Sequence, residues 1–188
     1  MVIKKTSKNT IRPSTHEKIL EVRAYLLMGY CSSIITLHTG FSQKRVRSIR
    51  ELLKKDPELK EFLMDAIAIR TSTSKTIISS PVRQLHASFL LSFYMVINKD
   101  YSERVDLFKL ARAYGYYISY FYMDSQNTDI EPITINEAWA LANELRSREA
   151  FMLLCKACET LYFEAVHQKS YREDRPCPWC CVRQKESP

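Results

Sequence analysis

Two C-x2-C pairs, Cys155 with Cys158 and Cys177 with Cys180, stand 18 residues apart, and a chain that carries them is constrained to bring two distant segments to one point. Each pair offers two thiolates from a single tight turn, and four sulfurs at about 2.3 Å close a tetrahedron around a cation. A closed tetrahedron leaves no position for water, so the expectation is one structural zinc ion per chain and chemistry that lies elsewhere. Cys181 could replace Cys180 as the fourth ligand, and His167, between the pairs, could also coordinate. A thioredoxin-like redox motif needs a βαβ pattern, and none surrounds Cys155 or Cys177. The opening MVIKKTSKNT has charge but no apolar signal core, and no stretch holds eighteen uninterrupted apolar residues. The reading is a cytoplasmic protein with no membrane partner, where thiols stay reduced and paired cysteines bind metal.

Only three glycines, Gly29, Gly40 and Gly115, occur in 188 residues. That scarcity argues against a turn-rich sandwich or barrel and against any Gly-rich phosphate loop. With 46% hydrophobic residues available for a core, it predicts a mainly α fold in three parts. These are a basic, helix-turn-helix-like region at 1–56, a helical core and assembly region at 57–153, and a small four-cysteine zinc module at 154–188. The net charge of +7 is concentrated in the first part: residues 1–56 hold twelve Lys and Arg against Glu17, Glu21, Glu51 and Asp56, a balance of +8, while the remainder holds sixteen against seventeen. A basic third on a neutral body is an electrostatic footprint for a polyanion, nucleic acid first and an anionic membrane surface second.

Capping signals and periodicity divide that region. Ser14 or Thr15 opens a helix over 16–28 that Gly29 ends; 32–39 (SSIITLHT) forms a short helix, Gly40 and Phe41 a turn, and Ser42 caps a second helix over 43–55 that stops before Asp56 and Pro57. Two short helices joined by a Gly-containing turn outline a helix-turn-helix, whose second helix enters the major groove. Ile35 and Phe41 pack under the turn while Val46, Ile49 and Leu53 face inward, which leaves Gln43, Lys44, Arg47 and Arg50 outward. Glutamine can pair with adenine and arginine with guanine, while Lys44 or Arg45 can neutralise phosphate. With Ser42 these residues are the candidate DNA-binding set; the alternative is a solvated basic face.

Further on, a helix is expected over about 58–70, then a polar Ser/Thr-rich connection through 80, then a helix that Pro81 starts and that is apolar around its whole circumference to residue 98. His86 within it reads as a core histidine. A helix over 103–123 carries Tyr114, Tyr116, Tyr117, Tyr120, Phe121 and Tyr122, which could stack on unpaired bases or pack in a core. Thr134 with Glu137 forms a capping box that opens a helix from 135 to about 153, running directly into Cys155.

The segment GFSQKRVRSIRELLKK, the LHASF stretch at 85–89, the Ala138-Trp139 pair with Trp139 sixteen residues before Cys155, and the two cysteine pairs occur in an order that resembles FlhC, the larger subunit of the bacterial flagellar master transcriptional activator. The resemblance implies a largely helical subunit in which Cys155, Cys158, Cys177 and Cys180 bind structural zinc. It further implies assembly with a small helical FlhD-like subunit, binding to double-stranded promoter DNA and recruitment of RNA polymerase. Relatives carried on conjugative elements activate transfer genes, so conjugative and flagellar targets are both implied. The rival reading is an RNA-binding or translation-associated zinc protein. An enzyme is not expected: His16, His38, His86 and His167 are scattered, with no nucleophile, paired-carboxylate or nucleotide motif around them.

Overall fold

The computed structural model describes residues 14–63, 73–124, 131–166 and 177–185. The fold is mainly helical, and the chain divides into two compact units, Met1–Ala66 and Ile67–Pro188; the cysteine-bearing segment belongs to the second.

The first unit is built from α1 (Thr15–Leu27), α2 (Ser32–Thr39) and α3 (Gln43–Lys54), each in contact with the other two. Ser14 caps α1 in a box with Glu17, and Ser42 Oγ accepts the Arg45 N–H at 3.3 Å to cap α3. Between α2 and α3 the chain turns on Gly40, whose φ of 72° is a left-handed conformation that costs a glycine little. Buried Thr39 stitches this turn, its Oγ1 donating to Ile35 O at 2.7 Å and accepting the Phe41 N–H at 3.3 Å. Val22, Leu26, Tyr30, Ile34, Ile35, Phe41, Val46, Ile49 and Leu53 form the core. The helix expected over 58–70 is not formed where the residues are described: the Asp56 side chain accepts the Glu58 N–H at 3.0 Å as a helix cap does, but only a 3-10 turn follows at Lys60–Phe62. Residues 64–70 lie outside the described residues.

In the second unit, a short α4 (Ser74–Ile77) is tied to α7 (Ile135–Ser147) by the Ser74 N–H, which donates to Glu144 Oε1 at 2.8 Å. α5 (Pro81–Ile97) starts at Pro81 behind the Ser80 cap and is central, touching α6 (Leu107–Asp124), α7, a β-hairpin and a C-terminal helix, which accounts for its apolar circumference. α6 starts four residues later than expected. Buried Tyr94 Oη accepts the Asp106 N–H at 3.0 Å, and Asp106 Oδ1 accepts the Lys109 N–H at 3.1 Å, so the chain before Leu107 is held out of helix. His86 Nδ1 lies 3.0 Å from Tyr117 Oη, which accepts the Ile133 N–H at 3.0 Å.

The largest departure follows α7. That helix opens on the Thr134–Glu137 capping box but stops at Ser147, where Arg148 turns left-handed with φ 62°, and the chain enters a hairpin of β1 (Ala150–Leu154) and β2 (Leu161–Ala165). The strands are antiparallel, with Met152 opposite Phe163. Phe163 is fully buried, and its outward backbone groups are satisfied by α5: its N–H donates to Ser88 Oγ at 2.9 Å and its carbonyl accepts from Gln84 Nε2 at 2.8 Å. Side chains on a distant helix thus cover a strand edge that would otherwise lie open.

Candidate metal centre and basic helical face

The hairpin delivers the first cysteine pair. Cys155 to Thr160 is its tip, closed by the Cys155 N–H to Thr160 O bond at 3.0 Å and the Glu159 N–H to Cys155 O bond at 2.9 Å, with Glu159 left-handed at φ 56°. The second pair stands at the start of α8 (Pro178–Lys185), where Pro178 fits the first helical position and the Cys177 carbonyl accepts the Cys181 N–H at 2.9 Å. Because α8 packs on α5, both pairs meet on the same support.

The four sulfurs of Cys155, Cys158, Cys177 and Cys180 lie within 4.8 Å of one another, and the Cys158 and Cys177 sulfurs are 3.4 Å apart. A tetrahedral ion with bonds of about 2.3 Å requires sulfur separations of about 3.8 Å, so small adjustments place all four on one cation. Cys181 is not among the gathered sulfurs, and His167 lies outside the described residues. The electrostatics are uneven. Backbone N–H groups of Cys158 and Ala157 point at Cys155 and hold its thiol down to about 6, and the Thr160 side chain and backbone likewise lower Cys158. Burial pushes Cys177 up to about 12, against the Cys180 N–H that contacts its sulfur, and the Cys158 sulfur raises Cys180. The first pair is therefore the more readily deprotonated of the two, and a bound cation would offset the cost of ionising the second.

The basic residues are on α3, in the first unit. Ser42, Gln43, Lys44, Arg45 and Arg47 are exposed, and Val46, Ile49 and Leu53 are buried as the periodicity requires. Arg45 lies over the Phe41 ring, its guanidinium carbon 4.2 Å from the centroid. Arg50 departs from the expected outward position: it follows Ile49 at the edge of the buried stripe and is half-buried, with Nε withdrawn from solvent. Ser48, Glu51, Leu52 and Lys55, which are not in the candidate set, join Lys44 and Arg47 in lining an open concavity of about 540 Å³, and the 3.6-residue period counted from the buried positions is the signal that finds them.

The tyrosine cluster of α6 divides in two. Tyr117 is buried, whereas Tyr116 and Tyr120 are about half exposed and stand against α5, with Phe89 and Tyr120 stacked at 5.4 Å and Phe93 and Tyr116 at 6.2 Å between ring centroids. The Tyr122 side chain lies outside the described residues. No helix among the described residues is long and apolar enough to cross a membrane. A scan against protein-family models finds no match, and neither does a search of curated proteins.

Proposed function

We propose that this chain is a zinc-stabilised DNA-binding subunit of a heteromeric transcription activator of the FlhC/FlhD kind, serving conjugative-transfer or flagellar genes, without catalytic activity of its own. The observation that carries the reading is α2, the Gly40 turn and α3: a Ser42-capped basic helix with its apolar stripe buried and Gln43, Lys44 and Arg47 outward. A helix of this kind fits the major groove as the second member of a helix-turn-helix, with its outward face toward base edges and Arg45 and the Ser42 cap toward phosphate. The four-cysteine cluster supports zinc as the ion. Soft thiolates in a closed tetrahedral set suit zinc, and its task here is to hold α8 and the hairpin tip together. A small FlhD-like helical partner and RNA polymerase enter through the family resemblance.

Titration of the full chain with fluorescent promoter duplex, single-stranded DNA and RNA at several salt concentrations tests the reading. Tight duplex binding is expected, with log affinity falling against log salt by about 0.9 for each phosphate neutralised. The second reading, an RNA-binding zinc protein, draws on half-exposed Tyr120 and Tyr116, set against Phe89 and Phe93, with Arg112 lying 5.9 Å from the Tyr116 ring centre. Preference for single strands over duplex would favour it and overturn the first.

A further inference from the structure

The outward face of α3 carries a group that a purely electrostatic surface would exclude. At 3.6 residues per turn, the positions opposite Val46, Ile49 and Leu53 are Lys44, Ser48, Glu51 and Lys55, with Arg47 alongside, and these side chains share one concavity. Glu51 stands in the middle of this set, one turn beyond Arg47 and two beyond Lys44. It accepts from Lys54 Nζ at 3.0 Å, but the two side chains are 63% and 50% exposed, and an exposed pair of this spacing is weak. Against a phosphate, Glu51 is a liability: ionised, it has no hydrogen to donate, and its charge repels. In the major groove it can accept from an exocyclic amine, and the N4 amine of cytosine is the usual partner of a glutamate.

We propose that Glu51 reads sequence, selecting a cytosine in the duplex that α3 binds, with Arg47 on a neighbouring guanine; the inference rests on the duplex-binding reading above. Four helical residues advance by about 6 Å, close to two base-pair steps of about 3.4 Å, so the cytosine lies within about two base pairs of the base that Arg47 reads. Arg45, laid against Phe41, and half-buried Arg50 stand outside the reading set. Glu51 weakens non-specific attraction and supplies choice of base.

Selection of duplexes from a randomised pool by the full chain, followed by anisotropy titration of the selected and a scrambled duplex, tests this. The wild-type chain is expected to select a fixed cytosine, and changing it to thymine weakens binding by about 5- to 150-fold. Glu51→Ala, at an exposed position where alanine preserves the helix, erases the preference and strengthens binding to scrambled duplex. Glu51→Gln moves the preference to adenine, whose N6 and N7 suit an amide. A wild-type consensus without a fixed cytosine, or one that Glu51→Ala leaves unchanged, overturns the assignment while duplex binding stands. A wild-type chain that binds no duplex overturns the underlying reading and the assignment with it.

Discussion

Replacing Cys177 by serine removes a sulfur from the most enclosed corner of the four-cysteine cluster, where the residue is 1% exposed. Structural zinc bound by small peptides contributes about 10–16 kcal/mol of apparent binding free energy. Divided over four ligands, that is about 2.5–4 kcal/mol each, so one lost sulfur weakens zinc binding by about 10²- to 10³-fold. The structural consequence is local. Cys177 leads into α8, whose described attachments are to α5 and the cluster, whereas the hairpin is held independently by buried Phe163 and its bonds to Ser88 and Gln84. Metal analysis after dialysis against a chelator, with hydrogen exchange read by mass spectrometry, should therefore show zinc lost from Cys177→Ser. Residues 177–185 should lose protection, and 150–165 should keep it. Retained zinc, unchanged protection of α8, or collapse of the hairpin along with it would each contradict a local, zinc-held α8.

Two further outcomes follow from the same geometry. Coordination needs thiolates, and since Cys177 is pushed up to about 12 and Cys180 is also raised, both shed protons when zinc binds. Zinc affinity should fall as pH falls, more steeply below about 6 where Cys155 also takes up a proton; competition titrations that find pH-independent affinity would contradict this. Tyr94→Phe deletes a buried acceptor used by Asp106 N–H at 3.0 Å and Asn98 Nδ2 at 2.8 Å, so stability in urea should drop by about 1–3 kcal/mol, and an unchanged midpoint would show that the hydroxyl is dispensable.

Local signals carried much of the first unit. Ser14, Ser42 and Gly40 mark helix ends through their own backbone chemistry, and the helices expected over 32–39 and 43–55 stand at Ser32–Thr39 and Gln43–Lys54. The meeting of the cysteines was also legible, because ligand spacing survives whatever fold surrounds it. The hairpin was not. Residues 150–154 are a short apolar run compatible with either helix or strand, and their fate depends on β2 and on Ser88, 75 residues from Phe163. Arg50 and Glu51 show the same limit at the scale of one turn: both are charged and adjacent, yet one flanks the buried stripe and the other stands at the middle of the open face. The tyrosine run also divided by helical phase, with Tyr117 drawn inward by Ile133 and His86 while Tyr116 and Tyr120 remained outside.

Amide chemical-shift mapping of the full chain, titrated in parallel with a promoter duplex and with single-stranded RNA, distinguishes duplex binding by α3 from base stacking on the aromatic pairs of α5 and α6. The duplex is expected to perturb Ser42 through Glu51 most strongly, to leave Phe89, Phe93, Tyr116 and Tyr120 unmoved, and to lose its effect when Gln43, Lys44 and Arg47 are replaced by alanine. Perturbation confined to those four aromatic residues, or duplex binding that survives the triple replacement, would contradict duplex binding by α3.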